Sequence, residues 1–99
     1  MNIKKIAEEL KIKLSQYDDF IGLYLYGSQI KGIYNKDSDI DIVGVFGTNR
    51  DYSLDIHGEA LDLELKYDVI IDFHTMTPEE LDLNSIYFNE IKKGFYYAR

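Results

Sequence analysis

Gly27-Ser28 and, after ten intervening residues, Asp39-Ile40-Asp41 are the residues of this 99-residue chain whose types and spacing could do chemistry. Two carboxylates at i and i+2 of a strand project the same way, their Cα atoms ~6.5–7 Å apart. They can converge on a common cation. Mg²⁺ takes hard oxygen ligands, usually one or two carboxylates together with substrate phosphates. A third carboxylate lets two ions sit about 4 Å apart and clamp both the attacking and the leaving oxygen of a displacement. Gly27 lets the backbone pass close to a ligand, and Ser28, near a helix start, offers a hydroxyl and free N–H groups to an anion. Phosphate at one end and divalent metal at the other is the layout that a nucleoside triphosphate needs. The plain alternative is that Asp39 and Asp41 form a solvated face. Against it, Ile40, Ile42, Val43 and Val45 make the strand mostly apolar, and burying paired like charges without a cation is costly.

The elements that must position these groups follow from periodicity. Ile3, Ile6, Ala7, Leu10 and Leu14 recur at helical spacing, with lysines and glutamates between them, and predict an amphipathic first helix. The apolar and aromatic run Phe20–Tyr26 reads as a buried strand ended by Gly27. Residues 28–32 read as a single helical turn and 32–38 as polar loop. Residues 39–46 form the second strand, with Asp39, Asp41, Val43 and Val45 on one face and Ile40, Ile42, Gly44 and Phe46 on the other. Residues 52–68 fit a helix by Leu54, Leu61 and Leu65 and a strand by the alternation of Leu61, Leu63, Leu65 and Tyr67. Composition favours the helix, since Glu, Ala, Leu and Lys dominate. A third strand covers 69–74. Thr77-Pro78-Glu79-Glu80 opens a helix with a Thr cap, Pro at the first position and Glu at the third. Residues 86–93 make another short helix stopped by Gly94, and Phe95-Tyr96-Tyr97 either adds an edge strand or simply packs. The order predicts an α+β domain spanning 1–99, a two-layer α/β arrangement with a small mixed sheet and helices on one or both faces.

Composition narrows the partners. A net charge of −7, from 18 acidic and 11 basic residues, argues against direct binding to nucleic acid, which needs clustered Lys and Arg. The same acidity serves solubility and would suit a basic protein or divalent cations. The absence of cysteine excludes disulfides and thiolate metal sites and fits a reducing compartment. The charged N-terminal stretch has no apolar signal core, and no window approaches a membrane span, so the expected location is the cytoplasm. His57 is isolated and expected to pack. Of the nine tyrosines, Tyr87, Tyr96 and Tyr97 cluster late in the chain and either pack in the core or line a partner interface.

From Leu25-Tyr26-Gly27-Ser28 through Ser38-Asp39-Ile40-Asp41-Ile42-Val43 the chain resembles the DNA polymerase beta-like nucleotidyltransferases. It is most similar to their small, minimal members in bacteria and archaea. Thr77 to Leu81 and the closing segment 88–97 are also similar to the tail of those proteins. The resemblance implies the nucleotidyltransferase fold. It implies that Gly27 and Ser28 bind the β and γ phosphates and that Asp39 and Asp41 hold two Mg²⁺ ions. It also implies a third acidic residue on a later strand. Asp72 is the candidate, because it interrupts an otherwise apolar run where a charge needs a reason. His74 shares its face and is the rival. Many relatives carry Arg at the position of Lys31. Lys neutralises phosphate without the bidentate fork, and a plain surface lysine is the equal alternative.

The reaction so implied is Mg²⁺-dependent attack of an acceptor hydroxyl on the α-phosphorus of a nucleoside triphosphate, typically ATP, with release of pyrophosphate. Asp72 could also take the proton of the attacking hydroxyl. So short a chain leaves acceptor recognition to a partner. The resemblance suggests an all-helical toxin of the HEPN type, with this chain as its antitoxin and AMP as the group transferred. Two further readings stay open. One is an inactive antitoxin or regulatory subunit that neutralises its partner by contact, in a homo- or hetero-oligomer. The other is nucleotidyl transfer to a small molecule.

Overall fold

The computed structural model describes residues 2–27 and 39–99. Helix α1 (Ile3–Leu14) is capped by Asn2, whose side chain accepts from the Lys4 and Lys5 backbone N–H groups, and carries Lys11 and Lys13 in its last turn. There follow β1 (Phe20–Tyr26), β2 (Ile40–Phe46), α2 (Leu54–Tyr67), β3 (Ile71–Met76), α3 (Pro78–Leu83), α4 (Ser85–Lys92) and β4 (Phe95–Ala98). The strands make one mixed sheet in the order β3-β2-β1-β4, with β2 and β3 parallel and the other two pairs antiparallel. The expected α+β class and small mixed sheet are thus present. The expected single helical turn at 28–32 and the loop at 32–38 lie outside the described residues.

Strand alternation sorts the side chains into two cores. Ile40, Ile42 and Phe46 of β2 join Leu23 and Leu25 of β1 against Ile6 and Leu10 of α1 and Ile56 and Leu63 of α2. Val43 and Val45 point the other way, into a smaller cluster with Leu81 of α3 and Ile91 of α4, bordered by Tyr24, Tyr26, Met76, Tyr87 and Phe88. Helices α1 and α2 therefore cover one face with the larger core, and α3 and α4 lie over the other. The period-two reading of β2 matches this division residue by residue.

Several boundaries move by one or two residues. β2 begins at Ile40, with Asp39 just before it. α4 begins one residue early, where Asn84 accepts from the Tyr87 N–H as its cap. β3 starts at Ile71 rather than at 69, because α2 runs on to Tyr67 and closes through Asp68 in the left-handed region (φ 53°). Val69 still donates its N–H to the Glu64 carbonyl at 3.2 Å and so belongs to the helix stop. The segment that suited helix and strand alike is helix α2, capped by Ser53, whose side chain accepts from Ile56 N–H. The expected capping box at α3 forms, Thr77 and Glu80 each accepting from the other's backbone N–H.

Phe95-Tyr96-Tyr97 resolves to an edge strand, antiparallel to β1. Gly94 permits it: a Cβ there would run into the Leu25 backbone carbonyl, so any other residue would hold the incoming chain away from β1. Arg99 then donates to the carbonyls of Ser15, Tyr17 and Asp18 at 2.7–3.0 Å, tying the strand to the end of α1.

At the same end of β1, Asp19 clasps the turn after β2. Its carboxylate accepts from Arg50 Nε at 2.9 Å, from Arg50 Nη2 at 2.6 Å and from Thr48 Oγ1 at 2.7 Å. The Arg50 hydrogen bonds hold its carboxyl far below the usual carboxylate range, against an opposing contribution from burial. A depressed folded pKa stabilises the native state above the unfolded value, near ~3.9, and that contribution is lost as pH falls through the folded value. Asp19→Asn should therefore cost about 1–2 kcal/mol at pH 7, after allowance for solvent screening. The difference should shrink steadily below about pH 4 in urea titrations run against the wild type.

Candidate active site

Three strands bring the site together. Tyr26, which ends β1, is in register with Asp41 of β2, and Asp41 is in register with Asp72 of β3. Directly opposed residues of neighbouring strands project to the same face. All three therefore point with Val43 and Val45, to the side of α3 and α4. Gly27 follows Tyr26 at once with φ 90°, a conformation that L side chains rarely adopt. A Cβ on Gly27 would also run into the Asp41 carboxylate. Gly27 is thus required both for its backbone and for the absence of a side chain, and its bare Cα lets Asp41 lie flat against the end of β1.

The electrostatics are those of like charges held close. Asp41 is half-buried. Burial raises its carboxyl above the ordinary range, the charges of Asp72 and Asp39 raise it further, and a hydrogen bond with Asp72 adds to the shift. His74 acts in the opposite direction. Asp72 Oδ1 lies 2.9 Å from His74 Nε2, with 46% and 53% of these side chains exposed. The open side of the cluster is therefore formed by Asp39, Asp72 and His74, and its floor by Asp41.

Of the residues singled out in the sequence, Gly27, Asp39, Asp41 and Asp72 come together at one end of the sheet. Ser28 and Lys31 lie outside the described residues. His74 stands in register with Val43, two positions along the same face, and reaches back to Asp72. His57 packs on the opposite side of the sheet, edge-on to Phe73 at 5.4 Å between centroids.

Sequence reasoning missed the wall of the site. The hydroxyls of Tyr26 and Tyr87 are 2.6 Å apart and their rings meet at 86°. Burial pushes the Tyr26 hydroxyl well above its ordinary value, followed by the bond to Tyr87 and by the charges of Asp41 and Asp72. This pair fastens α4 to the strand that carries Gly27. The signal for Tyr26 was present, since alternation from Tyr24 places it on the Asp41 face. Nothing local in the sequence marks Tyr87 as its partner.

The donor set suits a hard divalent cation in kind. It consists of carboxylate oxygens, and a hydrogen bond between two carboxyls requires a proton where a cation would otherwise balance them. In the arrangement observed, Asp41 and Asp72 meet as a pair. Among the described residues no three carboxylate or imidazole groups close around one point as a metal-holding cluster. Nor, among them, is any helix long and apolar enough to cross a membrane.

A protein-family model described as polymerase beta, nucleotidyltransferase matches residues 8–92. No curated protein matches the chain.

Proposed function

The chain belongs to the polymerase beta nucleotidyltransferase family, and on that premise we propose that it transfers a nucleoside monophosphate, AMP from ATP, to a hydroxyl acceptor. The observation that supports this most is the register of Tyr26, Asp41 and Asp72 at one end of the sheet, with Gly27 directly against Asp41 and Asp39 beside them. Gly27 and Ser28 would receive the β and γ phosphates, with Lys31 as an added positive charge. Two Mg²⁺ ions held by Asp39, Asp41 and Asp72 would neutralise the phosphates and stabilise charge on the attacking and leaving oxygens.

The chain's own residues do the positioning. Asp41, backed by Gly27 and the Tyr26–Tyr87 pair, fixes the floor of the site. Asp72 stands at its open side, where its carboxylate can accept the proton of the acceptor hydroxyl. A new bond forms from that oxygen to the α-phosphorus, the bond to the bridging oxygen breaks, and pyrophosphate leaves. In-line positioning and electrostatics supply the rate.

We place selection of the acceptor on a protein partner in the cytoplasm, of the HEPN toxin type, with this chain as its antitoxin. The test is incubation of the protein with Mg²⁺, ATP labelled at the α-phosphate and lysate of the source cell. A labelled protein band, lost in the Asp39→Asn/Asp41→Asn variant, supports protein nucleotidylation. Label in a small-molecule fraction moves the acceptor to that class. No label together with no ATP binding overturns the proposal in favour of a chain that neutralises its partner by contact.

A further inference from the structure

Helix α2 has two apolar faces, and the sheet needs only one. Ile56, Ala60 and Leu63 are buried in the main core. Leu54, Leu61 and Leu65 lie on the opposite side of the helix, 87%, 53% and 76% exposed. At 100° per residue these three and Gly58 fall in one stripe pointing directly away from the core. Their spacing of four, three and four residues is that of a helix–helix seam. A solvated helix has no use for three leucines in line. A glycine in mid-helix costs about 1 kcal/mol relative to alanine, and a Cβ on Gly58 would meet nothing within 4 Å inside the chain. Nothing within the monomer therefore calls for a glycine at this position.

We propose that the outer face of α2 is a self-association seam, on which a second copy of this chain lays its own α2 antiparallel. The stripe is self-complementary in that direction. When two copies are related by a two-fold axis midway between Gly58 and Leu61, Leu54 falls opposite Leu65 of the second copy. Leu61 falls opposite its Gly58, so that a bulky knob meets the one place where a side chain is missing, and the same contact recurs by symmetry. The fringe adds a charge match at both ends. Asp55 and Lys66 occupy one flank of the helix, and the antiparallel arrangement brings Asp55 of each copy beside Lys66 of the other. Lys66 already holds Glu9 at 2.6 Å, which keeps its ammonium on that flank. Asp62 lies near the axis and opposes its own copy.

A single pair of helices is at the low end of interface sizes, below about 1,200 Å², and each copy carries a charge of −7. The dimer is therefore weak and tightens as salt screens that repulsion. The seam lies on the sheet face opposite the carboxylates, so it neither uses nor covers the candidate active site. The Asp39→Asn/Asp41→Asn variant should associate as the wild type does.

Sedimentation of the full chain from about 5 to 500 µM, at low and at about 0.5 M salt, tests the seam. The expected result is a reversible monomer–dimer equilibrium, tighter at the higher salt. Leu61→Glu should remove it. Gly58→Gln is the sharper probe, because it improves helix propensity and so raises the melting temperature, while filling the space Leu61 of the second copy needs. A more stable chain that dimerises at least tenfold more weakly is the expected outcome. Ile12→Glu alters an exposed apolar residue of α1 away from the stripe (62% exposed) and should change nothing. A monomer at every concentration, or a Gly58→Gln variant that dimerises like the wild type, overturns the proposal.

Discussion

Replacing Asp39 and Asp41 together by Asn should abolish nucleotidyl transfer, by about 10³-fold or more, and yield a chain that melts higher than the wild type. The two effects share one cause. The half-buried Asp41 carboxyl is raised by burial and by the charges of Asp72 and Asp39, so its ionised form is less favourable in the folded chain than in the unfolded one. The sign follows from linkage: between the unfolded value near ~3.9 and the raised folded value, the native state holds more protons, and stability falls as pH rises. The deficit is complete at neutral pH and absent in acid. Asn keeps the shape and can still donate to Asp72 without the charge. With solvent screening the gain is about 0.5 kcal/mol, or ~2–4 °C in melting temperature for a chain of this size. Thermal melts at pH 7 and pH 4 read the stability arm, and α-labelled ATP reads the activity arm. Adding Mg²⁺ should raise the melting temperature of the wild type and leave the variant unmoved. A variant that loses activity and also melts lower would mean that the two carboxylates act as structural groups.

Gly27→Ala should cost far more than a single methyl group usually does. The residue holds φ 90°, where a Cβ is strained, and the added carbon would meet the Asp41 carboxylate. Strain of about 1–3 kcal/mol adds to displacement of a half-buried charge, for a combined loss of ~2–4 kcal/mol. Chemical denaturation gives that number. Transfer should fall along with it, because Asp41 must move off the end of β1. Combining Gly27→Ala with Asp41→Gly separates the two contributions: the double variant should recover the part due to the collision and none of the backbone strain, and it should stay inactive.

The face that Asp41 takes was legible because strands alternate. Asp39 and Asp41 had to share a face with Val43 and Val45 once Ile40, Ile42 and Phe46 were assigned to the core, and the two packed clusters divide in that way. Helix α1 and the capping box of α3 were readable from local signals alone. What stayed open depended on contacts between distant segments. Asp72 and His74 are equivalent by periodicity, and only the pairing of β3 with β2 sets Asp72 beside Asp41 and His74 beside Val43. β4 was undecided because a short aromatic run packs as well as it pairs. Its pairing rests on the close approach of Gly94 to Leu25, far away in sequence. Tyr87 gave no sign of its hydroxyl partner, since Tyr26 lies on a strand that α4 meets only in the folded chain.

Parallel strands cannot be joined by a hairpin, so β3 reaches β2 only after the chain has crossed the sheet through α2. The loop closed in that step is long, and its entropy must be met before the pairing contributes anything in return. At its leading end the incoming strand brings Asp72 against Asp41, so docking proceeds against a local repulsion. The acidic end of the sheet is thus assembled against resistance, and a divalent cation between these two carboxylates would ease the pairing of β3 with β2.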